Sequence, residues 1–112
     1  MKIISFAWTT EALLAGRKTV TRRRWAERHR RSFHSGDLVQ AYDKVPFQGG
    51  KRVAILRLTC DPYLERLADM PAADVAAEGG LWQDKAEFID LFGGDPDEVV
   101  TVVRFELVSL EE

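Results

Sequence analysis

The sequence predicts an α+β domain whose strands form a mixed sheet curled into a small barrel, and three observations lead there. The 112 residues, 46% hydrophobic and 30% charged, suffice for one core beneath a charged surface and fall short of two ordinary domains. Four segments show the apolar patterning of short strands, and a stretch before the last of them shows helical spacing in pieces. A small sheet avoids exposed edges by curling, so the barrel follows from that economy and not from periodicity. We therefore expect one domain spanning residues 1–112.

Lys2 to Ala7 reads as the first strand, with Ile4 and Phe6 on one face. Thr9 or Thr10 is placed to cap a short helix through Leu13 and Leu14 that Gly16 ends. The segment GRKTVTRRRW follows directly. Ser35, Gly36 and Asp37 make a turn into a second strand, Leu38 to Tyr42, and residues 44–51 form a loop in which Gly49 and Gly50 permit a tight reversal. Arg52 to Cys60 reads as a longer, central strand because both of its faces carry apolar residues, and Asp61 with Pro62 ends it. Helical pieces are expected between Leu64 and Phe92, punctuated by Pro71, Gly79 with Gly80, and Gly93 with Gly94. Val99 to Leu110 is the clearest strand, with Val103, Phe105 and Leu107 inward and Arg104 and Glu106 outward.

The formal net charge of −2 conceals a dipolar chain. Residues 1–60 hold 13 Lys and Arg against 4 acids, whereas residues 61–112 hold 3 against 14. Eight cations fall between Arg17 and Arg31, seven of them arginine, among Trp25, His29, Phe33 and His34. Arginine binds phosphate bidentately and aromatic rings stack on bases, so the segment suits nucleic acid; it is equally the composition of a solvated face balanced by the acidic half. The acidic half opposes a long duplex, which leaves a short or single-stranded RNA contact. One cysteine, Cys60, excludes an intrachain disulfide and a cysteine-based zinc cluster. Thr9, Thr10 and Glu11 interrupt the opening apolar run before a secretory core completes, and no stretch reaches membrane-span length, so a cytoplasmic protein is expected.

The run LLAGRKTVTRRRW followed by FHSGDLVQAY resembles the ASCH domain of the PUA-like superfamily, with its Gly-(Arg)-Lys-Thr-x-Thr stretch and later Gly-Asp before a strand. The Glu-Gly after a short helix and the final VVRFEL strand also fall where that family has them. The resemblance implies a small β-barrel with short helices at its rim and a cleft lined by the Lys-Thr motif. Family members are described as RNA-associated modules, ribonucleases and small amidohydrolases. In the amidohydrolase branch, which acts on N4-acetylcytidine, a Lys, a Thr and a Glu form the proposed catalytic set. Matched by position, these look like Lys18, Thr21 and Glu78, with Arg23 resembling the Arg two residues beyond the Thr. The extra run Arg22 to Arg24, Trp25 and a longer loop around Pro46 to Lys51 depart from the pattern.

The chemistry of these residues is consistent with such a set. A threonine hydroxyl becomes a nucleophile once a base takes its proton, and a lysine among arginines has a lowered pKa that suits it to the task. Lys18 is equally a phosphate contact or solvated cation, Thr21 equally a strand threonine, and Glu78 equally a surface glutamate. Glu78 precedes two glycines at a helix end, where the macrodipole disfavours a carboxylate and calls for a neighbouring cation. On this reading Arg23, Trp25 and Arg17 meet the substrate, while Arg22, Arg24, Arg28, Arg30 and Arg31 meet RNA phosphates. The expected partner is a modified nucleoside or short single-stranded RNA, with no cofactor and no metal. His29 and His34 lack a third ligand at metal spacing. Cys60 reads as a small buried hydrophobe, Trp8 and Trp25 as base-flanking or packing rings, and Trp82 as a packing residue.

Overall fold

The computed structural model describes residues 1–111. The fold is a mixed α+β arrangement of six strands and short helices. The strands are β1 (Lys2–Ser5), β2 (Val20–Arg23), β3 (Leu38–Tyr42), β4 (Arg52–Leu58), β5 (Tyr63–Arg66) and β6 (Val99–Leu110). The helices are α1 (Thr10–Leu14), α2 (Glu27–Arg31), α3 (Asp74–Ala77) and α4 (Lys85–Phe92). In the sheet the order is β1-β3-β4-β6-β2, with β1 parallel to β3 and every other pairing antiparallel.

The twelve-residue β6 organises the sheet. Its C-terminal half pairs with β4, its N-terminal half pairs with β5 and with β2, and β4 and β5 follow one another along a single edge. Register shifts between Ala41 and Tyr42 and between Ile55 and Leu56 add local twist, which curls the sheet. The ladder stops at β1 and β2, so the sheet is an open half-barrel. One side chain links the two end strands: Arg23 Nη2 donates to the Ser5 carbonyl at 2.7 Å.

Two apolar clusters flank this sheet. Inside the curl, Ile4, Phe6, Leu13, Phe33, Val39, Ala54, Leu56, Leu58, Val103 and Phe105 pack together. Beside the start of β6, Leu67, Met70, Trp82, Phe88, Ile89 and Val100 form a smaller core. Both faces of the N-terminal half of β6 are consequently buried, from Val100 to Val103, more than the simple alternation expected of it.

Several local expectations need correction. The first strand ends at Ser5, because Phe6 starts a 3-10 turn over Ala7–Thr9. Thr9 stands at the N-cap position of α1 but makes no side-chain capping bond; the hydroxyls of Thr9 and Thr10 donate back to the carbonyls of Phe6 and Ala7. The fourth strand stops at Leu58, and Cys60 is half-buried just beyond it. Leu64 lies in a strand, since the free edge of β6 past β4 supplies ladder partners that outweigh the local helical spacing. The 44–51 loop contains a 3-10 turn at Pro46–Gln48, and a Cβ on Gly50 would lie 1.8 Å from the Lys44 carbonyl oxygen. No helix of the described residues is long and apolar enough to cross a membrane.

Candidate active site

The segment before β2 is tied on both sides. The N–H groups of Arg17 and Lys18 donate to the Ala12 carbonyl at the end of α1, and Thr19 N–H donates to the Ala77 carbonyl of α3 at 2.8 Å. Glu78 is the C-cap of α3, and Gly79 follows with φ +135°. A Cβ at Gly79 would stand 3.3 Å from Ala12 Cβ, so glycine lets the two helix ends press together. This contact places Glu78 against Lys18, although the two are 60 residues apart.

Lys18 Nζ donates to Glu78 Oε1 and to the Glu78 carbonyl, both at 2.9 Å. The cation thus satisfies a helix-end carbonyl and neutralises the carboxylate that the helix end disfavours. Both residues are buried, at 4% and 3% exposure. Burial lowers the Lys18 pKa, and the attraction of Glu78 only partly opposes it.

Arg22 completes the buried network. Its guanidinium donates to Glu78 Oε2 (2.9 Å), Asp74 Oδ2 (2.6 Å) and Glu65 Oε1 (2.8 Å). Arg104 holds both oxygens of Asp74 and donates to the Tyr63 hydroxyl. Burial raises the Asp74 pKa, but hydrogen bonds from Arg104 and Arg22 outweigh it and hold the carboxyl below its usual range.

Strand alternation gives β2 two roles. Arg22 shares a face with Val20, whereas Thr21 shares one with Arg23, whose Nε donates to Thr21 Oγ1 at 3.0 Å. Because β2 is an end strand, residues of both faces reach one cleft of about 330 Å³ along its edge. Lys18, Thr21, Arg22, Arg23 and Glu78 line it, and Phe6, Trp8, Trp82, Phe88 and Phe92 supply aromatic walls. That volume lies at the small end of ligand sites, about 300–1,000 Å³. Hollows of about 360 Å³ around Met1, Lys2 and Leu38, and of about 390 Å³ around Glu27, Arg28 and Arg31, contain no buried titratable group.

The sequence-derived site is therefore divided. Lys18, Thr21, Glu78 and Arg23 come together. Trp25 does not join them: it stacks on Phe33 at 4.6 Å, meets His29 edge-on and packs against the main core. Arg17 is exposed outside the cleft. Arg22 is no surface phosphate contact, since three carboxylates hold it at 3% exposure. Arg24 pairs with Glu98, donates to the Phe92 carbonyl and lies over the Phe92 ring, which pins the end of α4. Arg30 and Arg31 flank Glu27 on α2, Arg28 is exposed there, and none of the three lines the cleft. Sequence reading missed Asp74, Glu65, Arg104 and Tyr63, and gave Trp82 no part in the site. Among the described residues no group of three His, Cys, Asp or Glu side chains is placed to hold a metal ion.

No family model matches the chain, and no curated protein matches it. Among solved structures, it is similar to protein EF3133 from Enterococcus faecalis V583, whose crystal structure carries the family description DUF984. The TM-score is 0.71 at 18% identity, over 98% of this chain and 81% of that one. At that identity the likeness is one of fold.

Proposed function

We propose that this half-barrel is an ASCH-type, PUA-like domain and that its cleft hydrolyses an amide on a modified nucleoside such as N4-acetylcytidine. The observation that carries the reading is the meeting of Lys18, Thr21 and Glu78 in one cleft with aromatic walls. Chemically, the cleft has the parts that amide hydrolysis needs. Lys18, made less basic by burial, takes a proton from the Thr21 hydroxyl or from a water it holds. Arg23, anchored on Thr21, faces the oxygen on which negative charge develops. Glu78 holds Lys18 in place and receives its proton for transfer to the departing amine. The aromatic walls suit a planar base. Arg22, with Asp74 and Glu65 behind it, positions Glu78.

Non-catalytic RNA binding and ribonuclease action are the other readings of the same family resemblance, and burial and pairing of the basic run give them less support. Of the five arginines expected on phosphate, Arg22 is enclosed and Arg24, Arg30 and Arg31 have carboxylate partners. The test is incubation of purified protein with N4-acetylcytidine and, separately, with a short acetylated RNA. Formation of cytidine, or of deacetylated RNA, together with acetate, read by chromatography, supports the hydrolase; RNA retention or cleavage without deacetylation supports the alternatives.

A further inference from the structure

The charges around the cleft cancel in pairs, with one left over. In the resting protein, with Lys18 protonated, Lys18, Arg22 and Arg104 face Glu65, Asp74 and Glu78, three cations against three carboxylates, all joined by contacts of 2.6–2.9 Å. Arg23 stands outside this balance. Its Nε donates to a hydroxyl and its Nη2 to the Ser5 carbonyl, its guanidinium lies 5.2 Å from the Phe6 ring centroid, and it meets no carboxylate among the described residues. Its Nη1 makes no hydrogen bond among the described residues and is not sealed from the cleft. Burial works against this cation, and the field of Glu78, which does not touch it, only partly offsets that cost, so a ligand bearing one negative charge in contact with it is favoured.

We propose that Arg23 with the Phe6 and Trp8 walls forms a subsite for one small carboxylate carrying a short apolar tail. A planar carboxylate matches both the single surplus charge and the flat guanidinium, whereas a doubly charged phosphate exceeds the charge available. The subsite deepens the hydrolase reading and rests on it only for the source of the acid. Hydrolysis of an N-acyl base breaks the C–N bond, adds the hydroxyl of water to the acyl carbon and returns a proton to the amine. The acid so formed ionises at neutral pH, giving the anion that Arg23 lacks. A small carboxylic acid is then a competitive ligand of the cleft.

The experiment titrates the whole protein with sodium propionate, sodium acetate and sodium phosphate at ionic strength held constant with sodium chloride, read by tryptophan fluorescence. Saturable binding is expected, tighter for propionate than for acetate and weakest for phosphate. Arg23→Gln should weaken propionate binding by at least ~10-fold, as expected for a lost charge-assisted hydrogen bond, while Arg28→Gln leaves it unchanged. Should Arg23→Gln not fold, Arg23→Lys serves instead: it keeps the charge, loses the planar fork and should bind more weakly than the parent. Absence of saturable binding, tighter binding of phosphate, or unchanged affinity in the folded Arg23 variant overturns the subsite. Carboxylate binding without deacetylation leaves the subsite standing and removes the hydrolase reading; deacetylation that propionate neither binds nor inhibits does the reverse.

Discussion

Lys18 Nζ lies 2.9 Å from Glu78 Oε1 and 2.9 Å from the Glu78 carbonyl oxygen, so a single ammonium group both pairs the carboxylate and closes the C-terminus of α3. The basic first half of the chain and the acidic second half meet at this contact. Because Arg22 also reaches Glu78, the carboxylate has two buried cations.

Glu78→Gln should therefore be strongly destabilising, since it leaves Lys18 with no carboxylate in the interior, while Arg22 keeps Asp74 and Glu65. Breaking a buried ion pair costs ~3–5 kcal/mol. Lys18→Met should cost less, because Arg22 still neutralises Glu78. Urea unfolding of the two variants checks the order, and a larger loss for Lys18→Met would contradict it.

Acid should act through Asp74. Its carboxyl is held below the usual aspartate range in the folded protein, because hydrogen bonds from Arg104 and Arg22 overcome the effect of burial. The stability it contributes is full above the unfolded value and is lost as pH falls through the folded one. In Asp74→Asn that acid-dependent part of the unfolding free energy should disappear, leaving a flatter profile below the usual aspartate range. Parallel profiles for parent and variant would contradict the assignment.

The activity profile should report Lys18. Burial lowers its pKa below the usual 10.5, and Glu78 only partly restores it. Since the base acts when unprotonated, kcat/KM should rise with pH along a limb whose midpoint lies below the ordinary lysine value. A rising limb centred at or above 10.5 would contradict Lys18 as the base.

Neutralising Arg28, Arg30 and Arg31 together should leave deacetylation of free N4-acetylcytidine unchanged, because none of them lines the cleft. Any contact of α2 with RNA phosphate appears instead as a flatter salt dependence of RNA binding. A loss of nucleoside turnover in the folded triple variant would contradict the location of the site.

Legibility in the sequence followed the range of the interactions. The strands at 38–42 and 99–110 carry their own patterning and lie where it put them. Lys18, Thr21 and Glu78, which line one cleft, stand out in the sequence through the resemblance of the GRKTVT stretch and the later Glu-Gly to the ASCH pattern. Arg22 departs from expectation because a run of arginines records charge and not burial, and its partners Glu65, Asp74 and Glu78, all more than 40 residues away, draw it inward. Trp8 and Trp25 look alike in sequence, yet the 3-10 turn after β1 brings the first to the cleft while Phe33 stacks the second against the core. The strand Tyr63–Arg66 exists because β6 offers it an edge, a fact no local window contains.

The most direct test of the central claim compares initial rates of cytidine release from N4-acetylcytidine by the parent and by Thr21→Val, with circular dichroism showing both folded. Thr21 is buried in the cleft wall and valine nearly preserves its volume, so the change removes the hydroxyl and the bond it accepts from Arg23 Nε. The account predicts turnover in the parent and a loss of ~10²- to 10⁴-fold in the variant, the range of general acid–base assistance. Equal rates in the two proteins, or no turnover by the parent, would contradict it.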